Sequence, residues 1–241
     1  MLAFGDSITN GAGEYQWGVA LQSWAMWAAR ALGLPYTPYA VDGAVATDVV
    51  NLQLPLWHDT AAHPAGRYDL GCIYIGTNDV RKPDWDPARF ADELAAIHEA
   101  LAERCDRRLA VTLPLDLGRP QARAKVEEAN AAISLAAAVS DALLLDLSKF
   151  HGRNLMMADE VHPTSLGQVA IAERALAVLE ADGMQVRVHP SELISYGRSW
   201  WGHLRGDLTY TYRHLKVSGR AAVHVARRQA LSREATGRTP R

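Results

Sequence analysis

Short apolar runs alternate along most of the chain with longer stretches in which apolar residues recur every three or four positions. The short runs are typical of buried strands, and the periodic stretches are typical of helices that cover a core with one face. We predict five strands, at residues 2–4, 36–41, 69–75, 108–113 and 142–147. The main helical stretches are predicted at residues 17–31, 90–101, 126–137 and 166–179. The last of them is preceded by Ser165, and the stretch from Ser165 to Gln168 fits a capping box.

This alternation predicts an α/β protein. Strands separated by helical crossovers run parallel, and the crossovers are right-handed, which gives a three-layer α/β/α domain. If the strand order is 2-1-3-4-5, the ends of the first and third strands adjoin the crevice where such sheets bind ligands. We expect this domain to cover residues 1–184. Residues 185–241 are expected to form a C-terminal helical extension with a disordered tail from residue 232.

Composition narrows the class of protein. Hydrophobic residues make up 49% of the 241 residues, which supports a folded core, and the net charge of −2 does not favour nucleic-acid binding by the chain as a whole. The extension differs, because it holds 11 Lys and Arg against 3 Asp and Glu. Because the chain has only two cysteines, we expect no disulfide framework. With no secretory signal pattern at the start and no apolar run of membrane-spanning length, we expect a cytoplasmic protein.

Residues that can carry chemistry follow the predicted strands. Ser7, Gly43 and Asn78 come after the first, second and third strands, and Asp159 and His162 precede the last helix of the domain. The carboxyl ends of parallel strands lie at one edge of a sheet, so one strand order gathers all five residues.

Each of these residues has a chemical role in acyl transfer. Ser7 can be a nucleophile if a base takes its proton, and His162 can be that base. Asp159, three residues earlier, can bind the other ring nitrogen of His162 and fix its tautomer. The backbone N–H groups of Ser7 and Gly43 and the side-chain amide of Asn78 can stabilise an oxyanion.

Neighbouring acidic residues offer competing interpretations. Asp6 precedes Ser7, but we predict that it fixes the turn through bonds to the backbone. Structural loop roles are also predicted for Asp79 and Asp146, which end strands. Glu160 competes with Asp159 as the orienting acid, and the spacing of three residues favours Asp159.

The remaining histidines indicate no metal site. His58 and His63 lie in one loop without a third ligand at metal-binding spacing. His98, on a predicted helix beside Glu99, is expected to be exposed.

Four short motifs together resemble the SGNH (GDSL) hydrolases. They are Gly-Asp-Ser-Ile-Thr at residues 5–9, the glycine at position 43, Gly-Thr-Asn-Asp at 76–79 and Asp-Glu-Val-His-Pro at 159–163. The resemblance implies a flavodoxin-like sheet and hydrolysis of esters or thioesters without metal or cofactor. It also implies a Ser7–His162–Asp159 triad and an oxyanion hole formed by Ser7, Gly43 and Asn78. One departure is Val41, where the family often has an asparagine that supports the glycine loop.

The sequence thus predicts a serine hydrolase that cleaves small-acyl esters or thioesters through an acyl-enzyme on Ser7. An acyltransferase that moves the acyl group to a sugar or another hydroxyl stays open. So does a non-enzymatic module that uses its tail to bind a membrane or a partner.

The partners expected are a small ester substrate and no specific nucleic acid. The extension carries an apolar stripe at helical spacing, formed by Trp201, Leu204, Leu208, Tyr212 and Leu215. We favour packing of this stripe on the main domain or on a second subunit. An anionic membrane surface, or nucleic acid bound through residues 213–233, are the other interpretations.

Overall fold

The computed structural model describes residues 1–59, 66–152 and 154–196, and seven single positions between 201 and 215. Within these residues the chain forms a five-stranded parallel sheet in the order 2-1-3-4-5. The predicted strand order and layer architecture are therefore confirmed. The strands are β1 (Leu2–Gly5), β2 (Thr37–Pro38), β3 (Tyr68–Tyr74), β4 (Cys105–Val111) and β5 (Leu143–Leu145).

Helices cover both faces of this sheet. α2 packs against α7 and α5 packs against α6, and the right-handed crossovers place the two pairs on opposite faces. A π-helical turn at Val49–Gln53 joins α3 to α4. The helices are α1 (Ser7–Asn10), α2 (Trp24–Leu32), α3 (Ala46–Asp48), α4 (Leu54–Asp59), α5 (Pro87–Arg104), α6 (Arg123–Val139) and α7 (Ser165–Ala181).

The core lies between the sheet and these helices. Its largest fully buried side chains include Trp24, Tyr74, Phe4 and Phe90. The rings of Trp24 and Tyr74 meet edge to face, with 6.3 Å between their centroids. Burial of such apolar surface is the main force that holds the layers together.

The helix predicted from residue 17 begins later, at Trp24. Ser23 caps it, since its side chain accepts a hydrogen bond from the N–H of Met26. Trp17 and Leu21 are 53% and 41% exposed, so the apolar spacing of these residues did not indicate a buried face. The preceding segment pairs instead with the start of α7, where the N–H of Ser165 donates to the carbonyl of Glu14.

Two further expectations are corrected. The cap of α7 is Thr164, whose hydroxyl accepts from the N–H of Gly167, whereas the sequence suggested a capping box from Ser165 to Gln168. His98 is buried rather than exposed, and its Nδ1 is bonded to the hydroxyl of Ser140 at 2.8 Å. Burial lowers the pKa of His98 to about 4, so the ring is neutral near pH 7.

Residues 185–196 pack on the domain. The N–H of Arg187 donates to the carbonyl of Ala31, His189 is bonded to Glu173, and Ile194 is buried. The division of the chain at residue 184 stays a prediction, but the contacts of the α/β domain continue beyond it.

The apolar stripe of the extension is helical and faces outward at most of its positions. Trp201, Leu208, Tyr212 and Leu215 are 64 to 71% exposed. The extension also meets the domain, because Asn154 Nδ2 donates to Asp207 Oδ1 at 3.0 Å. Packing of the stripe on the main domain therefore stays a prediction. Contacts with a second copy, a membrane surface or nucleic acid stay predictions, and the predicted tail from residue 232 lies outside the described residues. No helix in the described part of the chain is long and apolar enough to cross a bilayer.

Candidate active site

Ser7 lies where β1 turns into a short helix. Gly5 ends the strand with φ +151°, and a Cβ at this position would overlap the carbonyl of Tyr74 and the side chain of Thr9. Glycine is thus required at the start of the turn that carries Ser7. Ser7 is the first residue of α1 and is 7% exposed, so its backbone N–H lies at a helix start while its side chain borders the edge of the sheet.

Asp6 fixes this turn, as predicted. Its Oδ1 accepts a hydrogen bond of 2.9 Å from the N–H of Ile8 and caps α1. The side chain is fully buried, and burial raises its pKa to about 7. Asp6 therefore has a structural role in the turn that carries Ser7.

His162 and Asp159 continue a chain of hydrogen bonds from Ser7. Ser7 Oγ lies 3.0 Å from His162 Nε2, and His162 Nδ1 lies 2.7 Å from Asp159 Oδ2. Asp159 Oδ1 also accepts from the N–H groups of Val161 and His162, at 2.9 and 3.1 Å. One carboxylate therefore orients both the imidazole and the loop that carries it.

The charges around His162 suit a base that becomes cationic during the reaction. The pKa of His162 lies above its ordinary value, mainly because Asp159 accepts the hydrogen bond from Nδ1, while burial opposes the shift. Burial raises the pKa of Asp159, but the hydrogen bonds from the His162 side chain and from the two backbone N–H groups outweigh it. The pKa of Asp159 is therefore below its ordinary value, and Asp159 is ionised at neutral pH.

The Gly43 loop is fixed by residues that follow β3. Asn78 Nδ2 donates to the carbonyl of Ala44 at 3.0 Å, and the N–H of Ala46 donates to Asp79 Oδ1 at 3.0 Å. The structural role predicted for Asp79 is thus confirmed. These bonds support the loop although Val41 replaces the usual asparagine. Gly43 has φ +78°, and the space where a Cβ would be is open.

The predicted triad and the two predicted oxyanion donors beyond Ser7 differ in how directly their residues are linked. Ser7, His162 and Asp159 are linked by direct hydrogen bonds, as predicted. Gly43 and Asn78 are placed at the same sheet edge by their own loop contacts, and their roles as oxyanion donors stay predictions.

A close approach between two loops brings His162 to Ser7. The loop after α1 pairs with the segment that follows His162, where Glu14 forms a parallel bridge with Thr164. A Cβ on Gly13 would lie 2.5 Å from the carbonyl oxygen of Pro163, so a side chain at this position would push the loops apart. Among the described residues, no group of three or more His, Cys, Asp or Glu is arranged to hold a metal ion.

A comparison with family profiles identifies the same family that the sequence motifs resemble. The profile of the GDSL-like Lipase/Acylhydrolase family matches residues 3–170, which covers more than half of the chain. The protein belongs to this family. Its class is therefore that of a carboxylic ester hydrolase. No curated protein matches the chain in sequence.

Solved structures of other proteins share the fold. TesA is 23% identical with a TM-score of 0.57, and the match covers 75% of this chain and 97% of that chain. The acetylxylan esterase Axe2 from Geobacillus stearothermophilus is 20% identical with a TM-score of 0.57, covering 77% and 95%. A member of the lipolytic G-D-S-L family from Veillonella parvula is 21% identical with a TM-score of 0.60, covering 74% and 97%.

In this GDSL hydrolase, two buried glutamines hold the turn that carries Ser7, and sequence reasoning did not find them. Gln53 Oε1 accepts from the N–H of Gly5 and its Nε2 donates to the carbonyl of Gly5, at 3.1 and 2.8 Å. Gln168 Nε2 donates to the carbonyls of Ile8 and Ala12, and its Oε1 accepts from the N–H of Trp24. The sequence carries no signal for Gln53, and its capping-box pattern assigns Gln168 to a helix cap instead.

Proposed function

We propose that this GDSL hydrolase cleaves carboxylic esters of small acyl groups through an acyl-enzyme on Ser7. The observation that supports it most is the continuous hydrogen-bond chain from Ser7 Oγ through the imidazole of His162 to Asp159. A serine hydroxyl is a weak nucleophile at neutral pH and requires such a base.

In the first step, Ser7 Oγ attacks the carbonyl carbon of the ester while His162 Nε2 takes the hydroxyl proton. Asp159 stabilises the imidazolium through the bond to Nδ1–H and is not itself protonated. The carbonyl oxygen becomes an oxyanion, which the N–H groups of Ser7 and Gly43 and the amide of Asn78 stabilise. Removing one such donor typically costs about 3 kcal/mol of transition-state stabilisation.

The tetrahedral intermediate then collapses. The bond to the alcohol oxygen breaks, His162 returns its proton to that oxygen, and the acyl group stays on Ser7. Water enters, His162 takes one of its protons, and the resulting hydroxide attacks the acyl carbonyl. Ser7 leaves with the proton from His162, which restores the free enzyme and releases the acid.

Labelling with a fluorophosphonate tests the nucleophile. The protein should be labelled on one serine, and Ser7→Ala should abolish labelling together with ester hydrolysis. Ser134→Ala is a matched control, because Ser134 lies on α6, away from the candidate site, and the variant should be labelled like the parent. Undiminished labelling of Ser7→Ala would contradict the proposal.

A substrate panel then separates hydrolysis from transfer. Esters and thioesters of short acyl groups are supplied with and without a sugar acceptor, and the free acid and acylated sugar are both measured. We expect free acid as the main product in both cases. Acylated sugar as the main product would identify an acyltransferase with the same nucleophile.

A further inference from the structure

A basic groove lies beside the candidate active site. It is a cavity of about 550 Å³, formed by the turn after Asn78 and by the segment that leads into α6. Four of its lining residues are cationic, namely Arg81, Arg119, Arg123 and Lys125. No Asp or Glu lines this groove in the part of the chain that the structure describes.

On two sides, the groove lies next to a segment that carries candidate site residues. Arg81 ends the 3₁₀ turn that begins directly after Asn78. Gly118 directly precedes Arg119, which lines the groove. Its N–H donates to the carbonyl of Glu160 at 2.8 Å, which connects the groove to the loop that carries His162. A Cβ on Gly118 would lie 3.9 Å from Arg81 Nε and 4.0 Å from Val161 Cγ2. The guanidinium of Arg81 is thus close to the residue that precedes His162 in the chain.

The positive charge of the groove is only partly balanced. Arg119 is paired with Glu160 at 2.8 Å, and Arg123 with Glu127 at 3.3 Å. Lys125 donates to the carbonyl of Lys82, which carries no full charge to offset it. Arg81 is exposed and forms no ion pair among the residues that the structure describes. The positive charge of Arg81 also acts on His162, because it disfavours the imidazolium and so acts to lower the pKa of His162.

We propose that this groove binds an anionic group, a phosphate or a carboxylate, carried by the ester substrate. The inference rests on the proposed esterase function and adds a substrate class to it. The carbonyl would lie at Ser7 while the anion contacts Arg81 and Arg123, so that esters with a negative charge react faster than neutral esters of similar size. Guanidinium groups suit both anions, because their N–H donors match pairs of oxygens.

The test compares acetate esters that differ in the charge of the alcohol. The alcohols are ethylene glycol, which gives a neutral ester, glycolate, which gives a carboxylate, and 2-hydroxyethyl phosphate. Methyl butyrate and methyl hemisuccinate make the same comparison on the acyl side. Hydrolysis is followed by acid release at constant pH, and the readout is the ratio of kcat/KM for the anionic ester to that for its neutral partner.

We expect at least one pair to show a ratio of about ten, the size expected for one or two charge-assisted contacts at an exposed site. The pair that shows it identifies the anion as phosphate or carboxylate and as part of the alcohol or the acyl group. The ratio should fall towards one in Arg81→Gln and in Arg123→Gln, and also with rising salt concentration. Arg107→Gln should keep the ratio, because Arg107 lies at the opposite edge of the sheet beside Asp182.

Two results would overturn the groove as a subsite: ratios at or below one for every pair, or a preference that survives both Arg81→Gln and Arg123→Gln. Both leave Ser7-dependent hydrolysis of the neutral esters intact, so they do not touch the proposed function. If instead Ser7 takes no fluorophosphonate and none of the esters is hydrolysed, the proposed function fails, and the subsite fails with it.

Discussion

Ser7, the proposed nucleophile, and His162, its proposed base, are held in place by different means. The turn that carries Ser7 is buried, and the side chains of Gln53 and Gln168 bind its backbone from distant parts of the chain. The loop that carries His162 is more open, and the side chains of His162 and Asp159 are 29% and 41% exposed. Its hydrogen bonds run mainly between residues close in sequence.

Because of this difference, we expect substitutions in one region to change mainly stability and substitutions in the other to change mainly catalysis. Substitutions in the buried scaffold of Ser7 should change the free energy of unfolding, because they leave backbone groups without partners in a dry environment. Substitutions in the exposed loop should change the rate and leave the fold nearly intact. Four predictions follow from this contrast.

Asp159→Asn should have the largest effect, a loss of kcat of about three to four orders of magnitude. The amide can still accept from the N–H groups of Val161 and His162 through Oδ1, but it cannot accept from His162 Nδ1–H. Without that bond the pKa of His162 falls, so the acid limb of the kcat/KM profile should move to lower pH. Denaturation should show little change in stability.

The neighbouring acid provides the control for this variant. Glu160→Gln should keep kcat within about twofold, since Glu160 contacts Arg119 rather than the imidazole. A large loss in Glu160→Gln together with a small one in Asp159→Asn would reverse the assignment of the orienting acid.

Asp6→Asn should remove a pH dependence of stability. The pKa of Asp6 is about 7 in the folded protein and near the ordinary 3.8 when unfolded. Between these values the folded protein keeps a proton that the unfolded chain has lost, so stability falls as pH rises from about 4 to about 7. The loss is on the order of 4 kcal/mol, and Asn should abolish this part of it.

Urea denaturation at pH 5 and pH 8 measures the effect of Asp6. The difference in unfolding free energy between the two pH values should shrink in Asp6→Asn. Asp79, with a pKa raised by burial to about 6, and His162 contribute in the same direction, so a smaller slope should persist. An unchanged slope would show that Asp6 is ionised in the folded protein.

Gln53→Leu should destabilise the fold by about 1–3 kcal/mol, because it leaves the buried N–H of Gly5 without its partner. Activity should fall as well, since Gly5 positions the turn of Ser7. Gln185→Leu is the control, because Gln185 is exposed and its loss should change the midpoint of urea denaturation only slightly. A stable Gln53→Leu would mean that the strand contacts alone hold Gly5.

Arg107→Gln should have the smallest effect, below about 1 kcal/mol. Arg107 pairs with Asp182 at 2.7 Å, but both side chains are nearly 40% exposed, and water screens the pair. Catalysis should be unchanged within error, because the pair lies far from the catalytic edge. A loss of several kcal/mol by thermal denaturation would show that the amino edge of the sheet is as sensitive as the Ser7 turn.

Local patterns were sufficient for the parts of the site that depend on short stretches. The strand runs predicted the sheet. The order of the motifs and the spacing of three between Asp159 and His162 predicted the hydrogen bonds that link these two residues and Ser7. The same reasoning failed at Trp17 and Leu21, where apolar spacing continued without a helix. It also failed at His98, because its partner Ser140 lies on another part of the chain.

The sequence by itself determined the residues that carry out the proposed chemistry and the sheet edge where they meet, since both follow from strand breaks and residue types. Only the tertiary structure decided how the edge is held. The bonds from Gln53 to Gly5 and from Gln168 to Ile8 join residues 48 and 160 positions apart. No periodicity encodes such partners, because a buried amide is satisfied by whatever backbone the fold brings next to it.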